Sequence, residues 1–217
     1  MLKKRIIPTL LIDDHNLVKT INFKNKSYIG DPINTVRIFN ELEVDELIIL
    51  DITNDRFTEE CNFDYLKDIA SQSFMPLTFG GGINSIEKAK KIFDLGFEKI
   101  SVNTCAINKP GFIEELAKNF GSQAVICSID YKKSFFGDVS VYINNGKIKT
   151  NYKVHEWALI AEDLGAGEIF LTSIDHEGTW DGVDIEMMEK ISKEISIPLI
   201  AHGGVGKMSH IKDILTQ

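Results

Sequence analysis

The residues that could do chemistry sit at the ends of apolar runs. In "QAVICSIDYKK" a strand-like run from Ala124 closes on Asp130, whereas the similar stretch "RIIPTLLIDD" carries Leu11 at the matching place. A carboxyl that ends a buried strand can move protons, and no helix start follows Asp130 that would make it a cap, so it reads as a general acid/base. Leucine can move none. Glycine turns follow two other apolar runs, Gly80–Gly82 after "MPLTF" and Gly203–Gly204 after "IPLIAH". Glycine lets backbone N–H groups approach an anion, and a helix N-terminus beyond it adds a favourable dipole, so each turn reads as a phosphate cradle. A ligand with a phosphate at each end would bridge them; a plain tight turn is the simpler use of either. Asn103, Thr104, Thr172, Ser173 and Asp175 close further runs and supply polar groups at the same ends.

The starts of the runs carry Arg5, Glu46, Lys99 and Glu168. Solvated strand starts would account for them. Side chains converging on one axis would instead form a paired charged ring, because unpaired charges there would be costly.

Positioning these groups requires buried parallel strands. Strand-like runs at Ile6–Ile12, Glu46–Ile52, Leu77–Gly80, Lys99–Asn103, Ala124–Asp130, Glu168–Ser173 and Leu199–His202 are rich in Ile, Leu and Val and too short for helices. Amphipathic stretches alternate with them. Asp31 caps a helix opening at Pro32, Asn84 with Glu87 resembles a capping box, and Gly96, Gly121 and Gly165 mark helix stops. "VSVYINNGKIKT" breaks the pattern and reads as a hairpin turning at Asn145–Gly146.

A half-chain repeat points to the architecture. "ELIILDIT" at 46 matches "EIFLTSID" at 168, and "MPLTFGGGI" at 75 matches "IPLIAHGGV" at 197, both at an offset of 122 (168 − 46 and 197 − 75). Two βαβα halves of this kind predict an α/β fold, a (β/α)8 TIM barrel forming one domain over 1–217. An open doubly wound sheet would not predict the duplication. By the same offset the eighth strand and helix lie beyond Gln217, so the native gene is expected to continue, or the chain to borrow a strand. Intact mass and solution size of the 217-residue protein check this; a well-folded monomer of that length would overturn the register.

Composition sets the remaining bounds. The chain is 43% hydrophobic with a net charge of −8 and no basic run, which argues against a nucleic-acid partner. Lys88, Lys90 and Lys91 read as a solvated helix face. Cys61, Cys105 and Cys127 lack metal-ligand spacing and suit reduced thiols, so neither metal nor cofactor is expected. No signal peptide or membrane-length apolar run stands out, which leaves a cytoplasmic protein.

With "KRIIP", "NFKN", "GDP", "DELIILDIT", "FGGGI", "KISVNT", "FGSQAV", "GAGEIFLTSID" and "GGVGKM", the sequence resembles the cyclase subunit of imidazole glycerol phosphate synthase, HisF, over all 217 residues. The hairpin and "FGSQAV" favour the cyclase over its sister isomerase. The resemblance implies a barrel that receives ammonia from a HisH-type glutaminase, as a heterodimer, and passes it to a phosphorylated small-molecule substrate. By the same resemblance Arg5, Glu46, Lys99 and Glu168 match the charged ammonia gate. Gly82, Asn103 and Thr104 match one phosphate site, Gly178 and Gly204 part of the other, and Lys19 a substrate-side lysine. Thr172 and Ser173 count with these binding residues, and Asp130 matches one of two catalytic aspartates.

The other aspartate is replaced by Leu11. Asp13 has the same strand parity but lies about 6–7 Å further along, too far to substitute without a backbone shift. Glu177 stands where the family usually has Asp, and His202 where a small Ser is usual. Such a pattern suggests a paralogue that handles ammonia without the histidine-pathway cyclisation, as in HisF-like proteins of surface-polysaccharide clusters, which work with a glutaminase and a separate amidotransferase on amidino sugars. A true cyclase subunit and a non-catalytic phosphosugar-binding scaffold are the alternatives.

Overall fold

Pro8 delays the first strand. It has no N–H to give to a ladder, so pairing begins with its carbonyl, which accepts from Ile48 N–H at 3.0 Å. The strand therefore starts at Thr9 rather than Ile6, and Ile6 is 52% exposed. This computed structural model describes residues 4–53, 61–134 and 137–216.

In chain order, β1 is Thr9–Asp13, β2 Asn16–Ile21, β3 Lys24–Gly30, α1 Pro32–Glu41, β4 Leu47–Asp51, α2 Phe63–Ser71, β5 Leu77–Gly80, α3 Ile86–Asp94 and β6 Lys99–Val102. There follow α4 Thr104–Asn108, α5 Gly111–Phe120, β7 Val125–Lys133, β8 Val139–Ile143, β9 Ile148–Lys149, α6 Val154–Asp163, β10 Glu168–Ser173, α7 Ile185–Glu194, β11 Leu199–His202 and α8 Met208–Leu215. Parallel strands alternating with helices make this an α/β chain of the (β/α)8 barrel class. β5 and β11 keep the repeat offset at both ends (199 − 77 and 202 − 80).

The chain forms two compact units, one of Met1–Lys19 with Ser27–Val102 and one of Thr20–Lys26 with Asn103–Gln217. In the first, β1, β4, β5 and β6 run parallel in sequence order, and β2 adds antiparallel to β1. Leu47, Ile48 and Ile49 of β4 are all buried, as expected of a strand covered on both faces. Val36, Leu66, Ile69 and Ile92 are the buried stripes of α1, α2 and α3. In the second unit β7, β10 and β11 run parallel, with Ile129, Ile169 and Leu171 buried beside Phe112, Leu116, Trp157 and Ile191 of the helices.

Helix ends follow local chemistry. Asp31 accepts from Asn34 N–H at 2.8 Å, with Pro32 at the first helical position. At α3 the cap is Ser85, which accepts from Lys88 N–H at 3.1 Å, rather than the Asn84 the sequence suggests. Hairpin β8–β9 turns through Asn144, Asn145 and Gly146, all at positive φ, and β8 also pairs antiparallel with β7. β7 consequently runs to Lys133, so Asp130 lies within its strand and not at the end.

A second hairpin, β2–β3, is absent from the strand pattern because its turns use non-glycine residues. Asp14 and His15 take φ of 46° and 66°, and Asn22 and Phe23 take 52° and 62°. The Thr20–Lys26 tip is fastened to the loop after β10. Thr20 Oγ1 and Phe23 N–H donate to the two carboxylate oxygens of Glu177 at 2.9 and 3.0 Å. Asn22 N–H donates to the Glu177 carbonyl at 2.8 Å, and Asn22 Nδ2 to the carbonyls of Ile174 and Asp175.

Gly178 makes the close approach possible: its φ is 72°, and a Cβ there would lie 2.1 Å from the Thr20 carbonyl oxygen. Gly178→Ala should therefore lower stability by roughly 2–4 kcal/mol through the left-handed backbone and the clash. Urea unfolding would show the loss, and hydrogen exchange should speed up at the Asn22 and Phe23 amides.

Candidate functional site

Residues paired in register on parallel strands point to the same face. Asp130 on β7 pairs with Thr172 on β10, and Thr172 with His202 on β11, so three polar side chains form one row. Thr172 Oγ1 lies 3.3 Å from His202 Nδ1. Asn103, directly after β6, extends the row: its Nδ2 donates to Asp130 Oδ2 at 3.2 Å and to the Ser128 carbonyl at 3.0 Å. Thr104 Oγ1 donates to Asn103 Oδ1 at 3.3 Å and accepts from Asn144 N–H at 3.0 Å.

The surroundings of the row set its protonation. Burial is the main cause that pushes the Asp130 carboxyl up to about 7; the Glu177 carboxylate adds to it, and the Thr172 hydroxyl opposes it. Burial lowers His202 to about 4, so its imidazole is neutral at physiological pH, with the Phe170 ring 4.9 Å away. Cys127 on β7 is pushed up to about 12 by burial and stays a thiol. The row thus holds a carboxyl that changes charge near neutrality.

In the first unit the corresponding row carries no carboxyl and no imidazole. Leu11 pairs with Leu50, Leu50 with Gly80 and Gly80 with Ser101. Leu50 fills the space over Gly80, where a Cβ would lie 2.6 Å from Leu50 Cδ2. Asp13 pairs with Asn16 of β2, two residues beyond Leu11, and adds no carboxyl to this row.

The glycine turns lie further from their helices than the sequence suggests. α3 opens at Ile86 behind its Ser85 cap and α8 at Met208 after Lys207, so neither turn itself begins a helix. Gly204 O accepts from Gly182 N–H at 2.8 Å, and a Cβ on Gly204 would lie 2.1 Å from the Gly182 carbonyl oxygen. Close backbone packing accounts for that glycine. At the other turn Gly82 has φ 57°, and Lys88 Nζ donates to its carbonyl at 2.8 Å. Lys88 is therefore half-buried at the turn and not part of a solvated face; its separation of six residues from Gly82, across a turn that precedes the helix, hides the contact in the sequence. Lys19 is exposed on β2. Thr172 and Ser173 are buried, and Ser173 Oγ lies 2.8 Å from His176 Nδ1, a pairing that sequence reasoning missed.

At the strand starts, Glu46 is 8% exposed and ion-paired on both oxygens, with Arg5 on Oε1 and with Lys99 Nζ at 3.1 Å on Oε2. These three form a partly buried ion-pair network and are not simply solvated strand starts. Glu168 opens β10 in the second unit and is 7% exposed. Among the described residues no group of three or more His, Cys, Asp or Glu is placed to hold a metal ion, and no helix is long and apolar enough to cross a membrane. Cys61, Cys105 and Cys127 are free thiols.

Comparison with known proteins shows the family of the chain. The family described as "Histidine biosynthesis protein" matches residues 5–217. A Pseudomonas aeruginosa protein named "Putative imidazole glycerol phosphate synthase subunit hisF2" is 46% identical over 217 residues, which is 100% of this chain and 86% of that protein. A Chlorobium phaeovibrioides protein named "Imidazole glycerol phosphate synthase subunit HisF" is 43% identical over 218 residues, again 100% of this chain and 86% of its own length.

The raised carboxyl has a consequence for stability. A carboxyl that titrates near 7 in the fold and near its ordinary value when unfolded costs nothing below about pH 4, where both states are protonated; the cost grows as pH rises and is complete above about 7. Relative to wild type, Asp130→Asn should gain stability between pH 4.5 and 7 by on the order of 1–3 kcal/mol, and no more above pH 8. Urea unfolding of both proteins at several pH values checks it; a pH-independent difference would mean an ordinary Asp130.

Proposed function

The chain belongs to the histidine biosynthesis protein family, and on that premise we propose a HisF-like synthase subunit that has left the histidine-pathway cyclisation. It takes ammonia from a HisH-type glutaminase and delivers it to a phosphorylated or nucleotide-sugar acceptor, in the amidation of surface-polysaccharide sugars, with a separate amidotransferase as a further partner. The observation that carries this reading is the pair of rows: Asp130 sits among Asn103, Thr172 and His202, while its repeat mate Leu11 sits between Val18 and Leu50. One carboxyl remains where the resemblance implies two.

Ammonia attacking an electrophilic carbon forms a C–N bond and sheds a proton. Asp130, which changes charge near pH 7, takes that proton as carboxylate and returns one to the departing oxygen as acid. Gly82 with Lys88, together with Asn103, Thr104, Gly178, Gly204, Ser173 and Lys19, are the residues proposed to meet the acceptor and its phosphate. Arg5, Glu46, Lys99 and Glu168 are proposed to guide ammonia in. The alternative of a true cyclase subunit draws on the 43% identity to the Chlorobium phaeovibrioides HisF subunit.

Losing one partner of an acid/base pair costs about 10²–10⁴-fold in rate. With free ammonia and the histidine-pathway bisphosphate, turnover should be negligible and partly recovered in Leu11→Asp. Wild-type turnover equal to that of an ordinary cyclase subunit would contradict the reading. With a glutaminase bound, Lys99→Ala should change how much of the ammonia from glutamine is used, and the urea midpoint should fall only modestly; unchanged coupling would remove Lys99 from the ammonia route.

A further inference from the structure

We propose that Trp180 is a stacking platform for the base of a nucleotide-sugar acceptor. This rests on the acceptor reading above and narrows it to one class.

Trp180 combines two unfavourable features in one residue. Its φ is 67°, a left-handed conformation that is an outlier for a bulky side chain, and it is 66% exposed although an indole is the largest apolar group a chain can carry. The other tryptophan, Trp157, is fully buried against the sheet. Neither the strain nor the exposure of Trp180 serves the core. Backbone strain of this kind persists where the surroundings enforce it, and it marks ligand contacts more than packing positions.

The surroundings do enforce it. Gly206 lies against Trp180 so closely that a Cβ there would come within 2.5 Å of Trp180 Cβ and 2.7 Å of its carbonyl oxygen. Gly182 N–H donates to the Gly204 carbonyl at 2.8 Å, and Gly206 N–H to His210 Nδ1 at 3.2 Å. On the other side, Thr179 N–H and Oγ1 donate to the His176 carbonyl at 3.1 and 2.8 Å, and Asp181 N–H donates to Thr179 Oγ1 at 3.3 Å. The loop after β10 and the turn after β11 are thus interlocked. A ring carried on backbone held in this way loses little freedom when a ligand settles on it.

Position selects the ligand. The turn that touches Trp180 begins directly after His202, which stands in the row of Asp130, and four residues of chain to Gly206 span at most about 14 Å. The acid/base lies inside and the indole at the rim. A ligand that meets both must be long, with a reacting group at one end and a flat, unreactive group at the other. A nucleotide sugar has this form, since ribose and two phosphates separate its base from its sugar. The base offers a π face to an indole without needing a fixed set of hydrogen bonds. Lys207, exposed directly after Gly206, presents a cation to the phosphates between them. A simple phosphosugar has no group for the ring.

Titration of the 217-residue protein with uridine diphosphate, followed by tryptophan fluorescence, tests this without ammonia or a glutaminase. Because Trp157 is buried, quenching by iodide reports Trp180. Uridine diphosphate should quench the Trp180 emission and protect what remains from iodide. Ribose 5-phosphate and inorganic pyrophosphate, which lack the base, should do neither. Asparagine tolerates the left-handed backbone, so by calorimetry Trp180→Asn should bind uridine diphosphate about 5- to 150-fold more weakly, with ribose 5-phosphate unaffected and the urea midpoint not lowered. Trp180→Phe should lose less, and the Trp157 emission checks the fold of each variant. Equal affinity of wild type and Trp180→Asn for uridine diphosphate, or of wild type for uridine diphosphate and ribose 5-phosphate, would overturn the platform and leave a phosphorylated acceptor in place. Binding of none of the three probes at millimolar concentration would overturn the platform and the acceptor reading together.

Discussion

The register of three parallel strands is the constraint on which the rest depends. Asp130, Thr172 and His202 meet only because β7, β10 and β11 pair residue for residue at that level. Side chains alternate along a strand, so a slip of one residue in β11 would replace His202 by Ala201 and turn the imidazole to the other face. The apolar residues beneath, Ile129, Ile169 and Leu171, hold that register because their burial would be lost in any other. Core packing and site chemistry are thus the same requirement on these strands.

Two buried carboxylates away from this row, Glu46 and Glu177, are satisfied locally. Glu46 is held by Arg5 and Lys99, and Glu177 by Thr20 and the Phe23 amide. Removing both partners of such a group would leave an uncompensated charge, typically at about 3–5 kcal/mol. Glu177 has a double part: it fastens the Thr20–Lys26 tip and its charge helps to raise Asp130. A change in how that hairpin is fastened would therefore be felt as a change in the acidity of the site.

Much of this was legible in the sequence. The strands at Leu77–Gly80, Glu168–Ser173 and Leu199–His202 appear with the bounds that the apolar runs suggest, because burial on both faces leaves unbroken apolar stretches. Asp130 stood out for the same reason, as a polar residue in such a run. Hairpin β2–β3 did not, because β3 is almost wholly exposed and its turn places Phe23, not glycine, at positive φ. The contacts of Lys88 with Gly82 and of Thr20 with Glu177 were hidden too, since they depend on how loops fold back. His202 was visible only as a departure from a resemblance, and its bond to Thr172 required the register.

The central claim is that one carboxyl, Asp130, does the acid/base work of this site. Titration of its side-chain carbon by carbon-13 NMR in the folded protein tests that claim most directly. The account predicts a midpoint near 7. A midpoint near the ordinary aspartate value of about 4 would contradict it.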